Sequence, residues 1–146
     1  MKTIEVQMTD LSVNADWWRK CIQYFVKPGD EFEIRCWKEE RDEIKKALSY
    51  GKLRPSGNDT EASIQGTVSQ VMKKELLSAP EPEDKSVYNK MTDFFSICTD
   101  DKLNSQHYGT QLYLFHVSDT EEAAFWEMIR PYQESFSIAV HTGCSC

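Results

Sequence analysis

Glycine is scarce in this sequence, six in 146 residues, and no G-x-G-x-x-G, Walker A loop or G-x-S-x-G element is present. H-E-x-x-H and paired C-x-x-C are missing too. These gaps exclude the familiar signatures of dinucleotide enzymes, P-loop hydrolases, elbow-type serine hydrolases and zinc proteases. No cofactor and no metal are therefore expected from motifs. Long apolar runs are also lacking: no window approaches the roughly 18 apolar residues of a membrane span, and Met1–Met8 lacks the apolar stretch of a signal peptide. The expectation is a soluble chain that stays in the cytoplasm and does not engage a membrane.

Positive charge is in short supply. Seventeen Lys and Arg stand against 24 Asp and Glu, for a net charge of −7, and the cations occur in scattered pairs such as Lys45-Lys46 and Lys73-Lys74. Phosphate neutralisation needs clustered cations, so general nucleic-acid binding is not expected. The cysteines number five, an odd count, and Cys21, Cys36 and Cys98 lie among apolar neighbours, as buried free thiols do in reducing compartments.

What is present suits an ordinary globular domain: 40% hydrophobic, 12% aromatic and 28% charged residues. A chain of this length buries roughly 68–70% of its unfolded surface. There is no internal repeat, and the linker-like stretches Pro55–Thr60 and Ala79–Glu83 read as loops within a single domain, residues 1–146.

Alternation and helical periodicity take turns along the chain. Ile4, Val6 and Met8 predict a strand. Asn14 or Asp16 then caps a helix bearing Trp18, Cys21, Ile22 and Phe25, which Lys27-Pro28-Gly29-Asp30 stops. Glu31–Trp37 predicts a strand and Lys38–Tyr50 a helix, with Gly51 as its left-handed terminator. Ala62–Val68 is a strand, Ser69 caps a helix over Gln70–Ser78, and Glu83–Cys98 reads as another helix. Gln111–Val117 is apolar on both sides, with Leu112, Leu114 and His116 on one, and is expected to be central. Asp119 and Glu122 have capping-box spacing ahead of Phe125, Trp126 and Ile129, and Pro131 ends that helix. Ser135–His141 is the last strand. The fold expected is α+β, one domain, with a mixed sheet of about five strands and helices mainly on one face.

Several residues stand out for function. Neighbours on a helix cannot both face one core, so Trp17-Trp18 predicts a partly exposed indole that could anchor a protein contact or a homodimer seam. Trp37 and Glu39 sit where a strand meets a helix amid alternating charges. His107, Tyr108 and Thr110 lie on a polar loop beside the central strand, where a histidine could serve as general base and the hydroxyls could orient a ligand. Acidic groups gather at Glu81, Glu83 and Asp84 and again at Asp100 and Asp101. His141, Cys144 and Cys146 could supply soft ligands to zinc or copper, though a short tail more often frays. The leading expectation is an inhibitor, immunity-type or antagonist protein that binds another macromolecule with a basic surface. It would use aromatic anchors for affinity and carboxylates for steering, and would not be an enzyme. The alternative is a small-ligand enzyme or sensor built on His107, Tyr108 and Thr110.

Overall fold

The computed structural model describes residues 1–10, 12–82 and 90–142. In chain order these form β1 (Lys2–Met8), α1 (Asp16–Phe25), β2 (Glu31–Trp37), α2 (Arg41–Leu48), β3 (Lys52–Arg54), β4 (Glu61–Thr67), α3 (Gln70–Ser78), β5 (Ser96–Thr99), β6 (Leu103–Gln106), β7 (Gln111–Val117), α4 (Asp119–Ile129) and β8 (Phe136–Thr142). The strands make one open sheet in the order β3-β4-β2-β5-β6-β7-β1-β8, and each neighbouring pair is antiparallel.

The expected mixed sheet of about five strands is thus corrected to an antiparallel sheet of eight, within a fold that is still α+β. The three unforeseen strands are short: three residues in β3 and four each in β5 and β6. β5 and β6 are joined by a hairpin turn in which Asp100 and Asp101 have φ of 30° and 55° and the Lys102 N–H bonds the Thr99 carbonyl at 2.7 Å. Two left-handed residues in succession are what a tight hairpin with the right strand twist demands, and aspartate tolerates that region better than most. These two aspartates serve chain reversal first and charge second. Of the helix expected over Glu83–Cys98, residues 83–89 lie outside the described part. Residues 96–98 belong to β5, because Ile97 pairs with Ile34 of β2 and long-range pairing overrides local propensity.

The face of the sheet bearing Ile4, Ile34, Ile64, Ile97, Leu103, Leu112 and Leu114 is buried, and the helices supply its cover. α1 touches both α3 and α4, so it lies flanked in the helical layer. That position corrects the expected exposure of one indole: Trp17 and Trp18 are 0% and 1% exposed. Trp18 reaches the sheet and donates its Nε1–H to Ser105 Oγ at 3.1 Å. Trp17 turns toward β8, its ring 4.7 Å from that of Phe136. A helix covered on more than one side has room for two adjacent buried residues.

Helix ends differ from expectation in detail. Asn14 does serve the start of α1, its Oδ1 accepting the Asp16 N–H at 3.1 Å, and the Glu81 carboxylate accepts the Ala15 N–H, so this acidic residue is a structural cap as well. α2 starts at Arg41, because Lys38–Glu40 turn back and Glu40 Oε1 accepts the Trp37 N–H at 2.8 Å. Gly51 is not left-handed. It is needed because a Cβ there would fall 2.5 Å from the Gln65 carbonyl oxygen. Ser69 does cap α3, accepting from the Met72 N–H at 3.0 Å. The capping box of α4 is Ser118 with Glu121, one residue before the expected pair. In β7 a bulge sets Phe115 and His116 against Thr3 alone, turns His116 outward with φ of 53°, and returns Val117 to the core.

The opposite face of the sheet is held by polar side chains. Glu33 accepts from Ser63 at 2.6 Å and pairs with Arg35 at 3.2 Å, and Gln106 donates to Ser96 at 2.9 Å. Among the described residues no helix is long and apolar enough to cross a membrane.

Candidate functional site

Three chain reversals meet at one end of the sheet. β2 finishes at Trp37, β5 begins just after Phe95, and β6 turns into β7 through His107–Gly109, a single 3-10 turn. The registers Arg35↔Ser96, Ile97↔Ser105 and Gln106↔Gln111 bring the three side by side.

The 3-10 turn is strained. His107, Tyr108 and Gly109 have φ of 50°, 60° and 88°. Left-handed backbone costs a residue with a Cβ roughly 1–2 kcal/mol, so His107 and Tyr108 need external support. They receive it from the neighbouring segment. The Tyr108 N–H donates to the Phe95 carbonyl at 3.0 Å, and the Tyr108 carbonyl accepts from the N–H groups of Met91 at 2.8 Å and Thr92 at 3.3 Å. Thr110 closes the turn, its hydroxyl donating to the His107 carbonyl at 2.9 Å. Gly109 has no alternative: a Cβ would sit 2.7 Å from Met91 Cβ and 2.8 Å from Trp18 Nε1.

This backbone gathers aromatic rings around Phe95. Trp37, His107 and Tyr108 have centroids 4.8, 5.5 and 5.4 Å from it, the His107 and Tyr108 rings edge-on. Such pairs each contribute about 0.5–1.5 kcal/mol beyond area burial. Tyr108 is the buried floor of the cluster, while Trp37, Phe95 and His107 are half-buried and reach the surface. The Lys90 ammonium stands 4.4 Å over the Tyr108 ring. Glu40 ties the group together, accepting the Tyr108 hydroxyl at 3.0 Å through Oε2 as it caps the Trp37 N–H through Oε1. Burial, aided by the hydrogen bond to Glu40 and its charge, pushes the Tyr108 phenol well above its ordinary range. Burial likewise pushes the thiol of Cys36, one residue before Trp37, up to about 12, and the charges of Glu40 and Glu43 add to it.

Of the residues singled out from the sequence, Trp37, His107 and Tyr108 come together here. Thr110 is adjacent, but its hydroxyl faces into the turn. Glu39 is exposed at the β2–α2 junction, and its neighbour Glu40 is the one that joins the cluster. Trp17 is buried in the core against Phe136 and does not join the cluster. His141 lies on β8, paired with Glu5 at 2.9 Å. Glu83, Asp84, Cys144 and Cys146 fall outside the described residues. Phe95, Glu40 and Lys90 escaped sequence reading. Phe95 lay within an apparent helix and Glu40 within an apparently solvated charge run, and only a Trp-x-x-Glu spacing hinted at the latter's backbone cap.

No family model, no curated protein and no solved structure matches this chain.

Proposed function

We propose that the protein acts by binding another protein through the Trp37–Phe95–His107 surface, with a basic patch on that partner facing the start of α2. The observation that carries this reading is the strained His107–Gly109 turn, which holds three half-exposed rings in fixed positions at one end of the sheet. Rigid aromatic anchors bind with little loss of conformational entropy, and strain of this kind clusters where function demands a set geometry. Beside the rings, residues Lys38–Glu43 carry four carboxylates, Glu39, Glu40, Asp42 and Glu43, against two cations. With Glu40 committed to Tyr108, the exposed Glu39 and Asp42 supply steering, in keeping with the net charge of −7. Buried free thiols at Cys21 and Cys36 support a reducing compartment, and we place this activity in the cytoplasm.

A small-ligand reading of the same loop has less support. The Tyr108 hydroxyl already donates to Glu40 and the Thr110 hydroxyl already donates to the His107 carbonyl, so neither has a proton left to give a substrate. The experiment is a pull-down from source-cell lysate with wild type beside Trp37→Ala and Glu39→Lys/Asp42→Lys. A single stoichiometric protein that is lost with the first variant, and bound more slowly at low salt by the second, supports the proposal. Equal recovery by all three removes it. Recovery of nothing transfers weight to a small ligand, to be sought as thermal stabilisation that His107→Ala abolishes.

A further inference from the structure

The two outer strands of the sheet are finished differently. β3 is three residues long, carries Lys52 and Arg54, and runs into Pro55. Shortness, cations and proline are the devices that stop an edge from pairing with another chain. β8 has none of them. Its seven residues, Phe136–Thr142, include no lysine, arginine, carboxylate, glycine or proline, and among the described residues β1 is its one strand neighbour.

The direction of its backbone groups follows from the ladder. Thr9 donates to the Ser135 carbonyl at 2.9 Å, and the register continues as Gln7↔Ser137, Glu5↔Ala139 and Thr3↔His141. Residues bonding to one neighbour alternate along an antiparallel strand. Ser137, Ala139 and His141 therefore bond to β1, while Ile138, Val140 and Thr142 turn N–H and C=O to the open edge, together with the Phe136 carbonyl; the Phe136 N–H is taken by the Gln133 carbonyl.

We propose that a second copy of this chain occupies that edge, the two β8 strands pairing antiparallel about a two-fold axis through Ala139. In this register Ile138 meets Val140 as a hydrogen-bonded pair, and the Phe136 carbonyl meets the Thr142 N–H, so the outward N–H and C=O groups of Ile138 and Val140 all gain partners. On the other face Ser137 meets His141 and Ala139 meets itself. Each pairing is suited to its place. Ile138 and Val140 are half-buried and packed on the core, so their union continues the apolar layer from one copy into the next. Ala139 occupies the self-opposed, non-hydrogen-bonded position, where Cα atoms approach to roughly 4.5 Å and a small side chain fits. No like charges are opposed. A strand that reads as its own complement about a central small residue favours a copy of itself over a foreign strand, and the contact is isologous and closed. This inference is independent of the aromatic cluster.

The test is sedimentation velocity on the whole chain from micromolar to submillimolar concentration. Wild type is expected to pass from monomer to dimer. Ala139→Lys, at an exposed position, sets two ammonium groups across the axis and is expected to weaken the dimer about fivefold or more. An equal mixture of Ala139→Lys and Ala139→Glu is expected to dimerise again, with thermal unfolding checking that each variant folds. A wild type monomeric throughout, or an Ala139→Lys dimer as tight as wild type, overturns the proposal. Should the charged variants fail to fold, Ala139→Cys in a Cys144→Ser/Cys146→Ser background supplies the answer. Mild oxidation should cross-link position 139 to itself and leave Ser137→Cys, which faces His141, uncross-linked. Equal cross-linking at both positions, or none at 139, overturns it.

Discussion

Two groups of aromatic residues divide the labour in this molecule. Trp17 and Trp18 are wholly enclosed and touch Phe136 and Ser105 from the same helix. Trp37, Phe95 and His107 sit at the sheet's end with part of each ring at the surface, held by a backbone that is itself strained. The first group is packed for burial, the second for position. What links them is Gly109, whose missing Cβ leaves room for Trp18 on one side while its φ of 88° completes the turn that presents His107.

The largest expected effect tests the buried pair. Trp18→Ala should cost about 3–5 kcal/mol in urea unfolding; a loss under about 1 kcal/mol would mean the indole is not core. Next comes the link between the groups. Gly109→Ala should lower stability by about 2 kcal/mol or more, from strain and contact together, and should also weaken partner binding. Trp37→Ala should separate the two roles. Stability is expected to fall by less than about 1.5 kcal/mol while binding falls by about 2 kcal/mol or more, and a variant that loses stability without losing affinity would merge the groups into one core. A finer contrast lies within the pair itself. Trp18 Nε1–H serves Ser105, whereas Trp17 Nε1–H is buried with no hydrogen-bond partner among the described residues. Trp18→Phe should therefore cost about 1 kcal/mol more than Trp17→Phe, and equal costs would refute that assignment.

The smallest effect concerns neither group, but the polar face and the α4 cap. For Glu33 burial works to raise the pKa, yet hydrogen bonds from Ser63 and Arg35 prevail and hold it below the ordinary glutamate range. Glu121 behaves alike, with Lys102 and the Ser118 backbone outweighing burial. Both folded-state values are depressed, so the unfolded chain binds more protons. Stability should be complete above the ordinary glutamate range and fall as pH drops through it toward the folded values. A stability flat across that acid range would show that these carboxylates are not engaged.

How much of this was legible depended on period and length. β1, β2 and β8 follow from alternation, β7 from an apolar run, and α3 with its Ser69 cap from local chemistry, because each of these elements is long enough to declare itself. β3, β5 and β6 are not, and Ile97 is a strand residue only because Ile34 lies beside it. The same reason explains the site. Trp37, His107 and Tyr108 could be picked by type, but Phe95 at their centre joins them through a register spanning separate parts of the chain. The burial of Trp17 was hidden likewise, since a helical wheel cannot say on how many sides a helix is covered.

The place of β1 bears on how the chain is made. Its strand neighbours are β7 and β8, so Lys2 finds its partners at Val117 and Thr142. β1 is therefore made well before its partners and must wait, unpaired, until β7 and β8 have followed. The β5–β6–β7 meander, joined by short turns, can assemble from local contacts in the meantime. Ile4, Val6 and Met8 stay open to misassociation longest during synthesis, and closing the sheet around them is the step a chaperone would shelter.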